Sequence, residues 1–117
     1  MMRAVWNGVV LAETPRTIRL EGNHYFPPDS VYSEYFGDSP SKTLCPWKGV
    51  ARYHNIILGD DIGPDLAWRY PHPSPLALRI KNHVAFGGQV TIDGTREPAA
   101  ERGPVRGLLA RLGARRT

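Results

Sequence analysis

Polar and apolar residues alternate over residues 3–12 and again over Gln89–Asp93, and Gly-, Asn- and Pro-bearing breaks cut the chain between them into short runs. Arg3–Trp6 and Val9–Ala12 flank Asn7-Gly8, a pair that tolerates positive φ at both central turn positions, which predicts a type I′ hairpin. Thr17–Leu20 opens with a β-branched residue and ends at the turn pair Glu21-Gly22. Asn23–Phe26 follows as a strand that Pro27-Pro28 stops, because proline has no N–H for a ladder. Asp29 or Ser30 is placed to cap a short helix with Val31, Tyr32, Glu34 and Tyr35 in its turns.

Gly37-Asp38-Ser39-Pro40-Ser41 reads as loop, and Lys42–Cys45 as an extended approach to Pro46. Lys48-Gly49 makes a turn. Val50–Leu58 is the longest strand candidate, Gly59–Pro64 a turn-rich connection, and Leu66–Tyr70 the partner strand. Pro71, Pro73 and Pro75 exclude regular structure before Leu76. Leu76, Ile80 and Val84 then recur four apart, which predicts a helix over Leu76–Phe86 with Ser74 as cap and Pro75 at its first position. Gly87-Gly88 ends it, and Gln89–Asp93 is a last strand. The pattern describes a mainly β, antiparallel domain, α+β at the margin, with one or two short helices.

Hydrophobic residues make up 41% and charged residues 22%, which excludes a wholly disordered chain. No apolar run reaches the roughly 18–20 residues of a spanning helix, so the chain reads as a soluble, cytoplasmic domain. Cys45 is alone, which excludes an intramolecular disulfide and a four-cysteine zinc site. The net charge of +4 suggests nucleic acid until its position is considered. Residues 1–95 carry nine Lys/Arg against nine Asp/Glu, whereas residues 96–117 hold six arginines against Glu97 and Glu101. The excess therefore lies in a basic C-terminal tail, partly helical or disordered, in which Val105, Leu108, Leu109 and Leu112 keep helical spacing. Nucleic-acid binding, where present, is expected there and without sequence preference.

Three ordered segments are distinctive: Glu21-Gly22-Asn23-His24-Tyr25-Phe26-Pro27-Pro28-Asp29-Ser30-Val31, Cys45-Pro46-Trp47-Lys48-Gly49 and Ala67-Trp68-Arg69-Tyr70-Pro71. With Ala4–Gly8, Ile80-Lys81 and Val84–Phe86, they make residues 3–93 resemble the small bacterial and fungal proteins of domain of unknown function 427. That resemblance implies a single tent- or barrel-like antiparallel β domain over residues 1–95, two sheets meeting at an angle. Zinc-bearing tent relatives hold their metal on two Cys-x-x-Cys pairs, absent here, so no metal and no cofactor carries over. A nucleotidyltransferase label sometimes attached to the family finds no Asp-x-Asp after a Gly-Ser turn. The adjacent Asp60-Asp61 would face opposite ways on a strand.

The aromatics in these segments stand beside prolines, a combination that makes rigid walls for a flat or cationic ligand, although a small β domain also uses aromatics as core. Asn23, His24, Tyr25, Phe26, Cys45, Trp47, Lys48, Trp68 and Tyr70 are the candidate ligand-binding residues. His24, Cys45 and Lys48 are the candidate catalytic groups: a base near neutrality, a thiol and a cation. Each also has an ordinary explanation, as a backbone-bonded histidine, an inert buried cysteine and a solvated turn lysine. Binding of a small molecule or modified peptide by a monomer or homodimer is the leading expectation. A small enzyme using His24 with Cys45 or Lys48, in transferase-like or thiol chemistry, is the alternative.

Overall fold

The structure, a computed structural model, describes residues 1–95. β1 (Met2–Trp6) and β2 (Val9–Thr14) form the expected hairpin, with φ of 50° at Asn7 and 79° at Gly8 as a type I′ turn demands. β3 (Ile18–Leu20) and β4 (Asn23–Tyr25) repeat the device, with φ of 53° at Glu21 and 83° at Gly22. β5 (Phe36–Cys45), β6 (Gly49–Leu58), β7 (Asp61–Arg69) and β8 (Val84–Phe86) follow in chain order in a four-stranded antiparallel sheet. β9 (Thr91–Gly94) returns to pair with β1, and the Met1 ammonium donates to the Thr95 carbonyl at 3.0 Å, so both ends of the described chain are tied together.

The β3–β4 ribbon is hooked onto the edge of β8. Phe26 N–H donates to Val84 O and Val84 N–H to Phe26 O, both at 2.8 Å. Side chains alternate across the strip so formed. Phe26, Ile56, Ala67, Val84 and Phe86 join a core that includes Ala4 and Leu11 of the first sheet. Tyr25, Ala51, Tyr70 and Ala85 face a second core with Ala77 and Ile80. The four-stranded sheet is the partition between two hydrophobic cores, which is why consecutive residues such as Val84, Ala85 and Phe86 are all buried.

The antiparallel β class stands, but the sheets do not close into a barrel, and there are three of them, because the β3–β4 ribbon remains distinct. Leu76–Phe86 is not a helix. Pro75–Ile80 is a 3-10 segment broken at Ala77 (φ −123°), and Val84–Phe86 is β8. Leu76 is 77% exposed, Ile80 lies in one core and Val84 in the other, so the four-residue spacing marks no single face. Backbone partners on β7 and Phe26 claim residues 84–86 for the sheet. Ser74 caps nothing with its side chain, its hydroxyl donating to the Trp47 carbonyl at 2.5 Å.

The helix expected around Val31–Tyr35 is instead two 3-10 turns, Pro28–Ser30 and Ser33–Tyr35, neither with a side-chain cap. Val31 between them is extended because it bridges Ala12. The expected loop 37–41 belongs to β5, an edge strand where Pro40 is tolerated. Its polar residues are anchored: the Asp65 carboxylate accepts from the hydroxyls of Ser39 and, at 2.7 Å, Ser41. The turn expected at Gly59–Pro64 shrinks to Gly59-Asp60. A ladder irregularity opposite Asn55 absorbs Pro64, with the Asp65 N–H donating to the Asn55 side chain at 2.9 Å.

No helix among the described residues is long and apolar enough to cross a membrane. The basic tail at 96–117, with its expected helical or disordered character and nucleic-acid binding, lies outside the described residues.

Candidate functional site

The Cys45–Gly49 segment is the tip of the β5–β6 hairpin, with Cys45 paired to Gly49. The Pro71–Ser74 stretch crosses it closely: Ser74 N–H donates to the Lys48 carbonyl at 2.9 Å and Ser74 Oγ to that of Trp47. Gly49 has φ of 119°, and a Cβ there would stand 3.1 Å from the His72 carbonyl oxygen, so glycine satisfies both the backbone angle and the approach.

This packing folds Lys48 inward, leaving it 6% exposed. Its ammonium lies 5.5 Å from the Trp47 ring centre and 5.4 Å from that of Tyr70. It donates to the Glu21 carboxylate at the β3–β4 turn, which also accepts from Trp47 Nε1 at 2.9 Å. Desolvation pulls the Lys48 pKa down, but the Glu21 hydrogen bond and the neighbouring Tyr25, Tyr70 and Cys45 outweigh it, and the net shift is upward. Lys48 is thus a fixed cation at neutral pH, suited to orienting and neutralising rather than to attacking as a free amine. Burial raises the Tyr70 phenol.

Tyr25, Cys45, Trp47, Trp68 and Tyr70 pack in this one cluster, and Trp68 Nε1 donates to the Tyr25 hydroxyl at 3.4 Å. The three distinctive sequence segments therefore converge. Phe26 does not join them, since alternation sends it to the other core. His24 sits next to Tyr25 on β4, opposite Arg19, and its Nδ1 shares a 2.6 Å hydrogen bond with Thr17 Oγ1. Asn23 closes the ribbon opposite Leu20.

Two cavities lie on the opposite face of the four-stranded sheet. One of about 330 Å³ is walled by Pro28, Val31, Phe36 and Val84, with Ser33, His54, Arg69 and Asn82 as its polar groups. Arg69 Nε donates to His54 Nε2 at 3.0 Å and one terminal nitrogen donates to Asn82 Oδ1 at 3.1 Å. An imidazole that accepts from a guanidinium must be neutral at that nitrogen. Burial is the main reason that the His54 pKa is lowered, with the Arg69 charge adding to it and Asp38, 3.7 Å away, opposing. Asn82 occupies a left-handed position (φ 58°), which asparagine tolerates, and its N–H donates to the Tyr70 carbonyl. Composition did not point to Arg69, His54 or Asn82. The available signal was that Arg69 lies inside a distinctive segment while alternating with Trp68 and Tyr70. Among the described residues no group of three or more His, Cys, Asp or Glu side chains is placed to hold a metal ion.

The family described as a domain of unknown function (DUF427) matches residues 1–97, all of the described fold. The chain belongs to this family. No curated protein matches it. Within the DUF427 fold, the converged segments make a packed girdle around Lys48, and Arg69 carries one of those segments through the sheet to the cavity side.

Proposed function

We propose that this DUF427 protein is a binding domain for a small, partly apolar molecule held in the Phe36–Val84 cavity. The observation that carries the reading is the Arg69 guanidinium, fixed by neutral His54 and Asn82 at the edge of an apolar cavity. A volume of about 330 Å³ falls at the small end of ligand sites, and an apolar wall with a few oriented polar groups is their usual make-up. The Lys48 girdle supports this by holding β4, β6 and β7, the strands behind the cavity. Two anchors on a guanidinium keep it from collapsing into solvent and leave its other donors aimed at a ligand.

A small-molecule screen by thermal shift, followed by amide chemical-shift mapping, tests the assignment. Ligands that raise the melting temperature should perturb Ser33, Phe36, His54 and Asn82. Ser33→Trp places a ring in the opening from an exposed position and should abolish binding while leaving the fold intact. Perturbations confined to Trp47, Trp68 and Tyr70 would move the site to the aromatic girdle instead.

A further inference from the structure

Arg69 is one end of a row. Lys42 on β5 is the register partner of Arg52 on β6, and Arg52 is the partner of Arg69 on β7. Directly opposed residues project from the same face. Adjacent strands lie about 4.8 Å apart, so three cations originate within about 10 Å of one another. Opposed like charges destabilise a sheet, and here two such oppositions are consecutive. Among the described residues, no carboxylate forms an ion pair with any of the three. Asp38, on the same face opposite His54, is turned to that ring instead.

Two further observations point to a ligand for the row. Arg69 uses two of its five N–H groups, on His54 and Asn82, and the remaining three have no acceptor among the described residues. A second cavity, of about 360 Å³, opens at the far end, where Lys42, Arg52 and His72 surround Gly49, Val50 and Pro71. The row thus runs from one cavity to the other. The near-zero balance of the 1–95 segment conceals this segregation, because acids such as Asp65 and Glu21 are engaged elsewhere.

Resting on the cavity reading above, we propose that the molecule bound on this face is a multiply charged, phosphate-bearing small anion. Its apolar part occupies the Phe36–Val84 cavity, and its charged part lies across Arg69, Arg52 and Lys42. A single carboxylate would leave most of the row uncompensated. A diphosphate-type group spreads several charges over the strand spacing and offers paired oxygens to each guanidinium fork.

The full chain is titrated calorimetrically with inorganic pyrophosphate, and with acetate as the singly charged comparison. The expected result is one pyrophosphate per chain, with acetate at least about tenfold weaker. Arg52→Gln should weaken pyrophosphate about tenfold, the loss of one charge-assisted contact, and Lys42→Gln by a smaller factor. The double variant Arg115→Gln/Arg116→Gln, in the basic tail, should leave binding unchanged. Bound pyrophosphate should raise the His54 pKa, because it offsets Arg69 and Arg52; Asp38 and the Phe36 ring are the other groups facing that imidazole. In the free protein, Arg52→Gln should raise the melting temperature by relieving both oppositions, which also shows that the variant folds. Pyrophosphate binding that survives Arg52→Gln but falls with the tail arginines, equal binding of acetate, or no binding of pyrophosphate overturns the proposal. If screened apolar ligands still bind and are blocked by Ser33→Trp, the cavity reading stands while the anion assignment falls. If they also fail, both fall.

Discussion

The Lys48 ammonium stands 5.4 Å from the centre of the Tyr70 ring, joining the tip of the β5–β6 hairpin to the residue just beyond β7. Glu21 completes the link from the β3–β4 turn. A buried cation held by two aromatic faces and one carboxylate ties together three segments that the chain keeps far apart.

Lys48→Met retains the stem and removes the ammonium. Loss of two ring contacts, and of an ion pair whose acid is half in water, should cost about 1–2 kcal/mol. Urea unfolding of the full chain measures it. An unchanged midpoint would show that the stem alone holds the girdle.

The same pair sets two pH limits. The Glu21 carboxyl is lowered from 4.5, chiefly by the Lys48 hydrogen bond, so its contribution is full above that value and is lost as pH falls through the folded pKa. Lys48 is raised from 10.5, so its contribution is full below that value and is lost as pH rises through the folded pKa. Glu21→Gln should flatten part of the acid limb and reduce the upward shift of Lys48. Denaturant midpoints measured across pH would contradict this if the variant's acid limb matched the parent's.

Gly49→Ala combines a φ of 119° with a Cβ only 3.1 Å from the His72 carbonyl. It should destabilise the protein by about 1–3 kcal/mol. Amide exchange should quicken at Ser74, whose N–H bonds to the Lys48 carbonyl. Equal stability of variant and parent would mean that the hairpin tip moves away from Pro71–Ser74 without penalty.

His54 supplies a separate acid response. Its pKa is lowered from 6.5, first by burial and then by Arg69, so the folded state binds fewer protons than the unfolded chain below that value. Stability should therefore fall as pH drops from 6.5 toward the folded pKa. His54→Gln keeps an acceptor for Arg69 Nε and should remove this part of the decline. A variant that declines in parallel with the parent over that window would exclude His54 as its source.

The turn pairs Asn7-Gly8 and Glu21-Gly22 were legible because backbone sterics act over two residues, and both adopt positive φ, which Asn and Gly tolerate and Glu21 takes up with Gly22 as its partner in the turn. The runs between turn residues likewise located β6 and the second half of β7, whereas Asp61–Pro64, read as turn, extends β7 through its pairing with β6. Leu76, Ile80 and Val84 misled because spacing carries no information about backbone partners: Val84 is claimed by Phe26 and Arg69, Ile80 packs in the other core and Leu76 stays exposed. The converging segments were visible as rare residues in order, whereas the roles of Glu21 and Ser74 at their junction depended on contacts between hairpins.

What the chain determined locally was its turn chemistry, its β character and the balanced charge of residues 1–95, since each follows from neighbouring residues or from counting. Tertiary structure decided that residues 84–86 became a strand, because only β7 and Phe26 supply the backbone partners. It also decided that Lys42, Arg52 and Arg69 share one row. Register is a non-local quantity, and a shift of one residue on any of the three strands would have sent its cation to the opposite face.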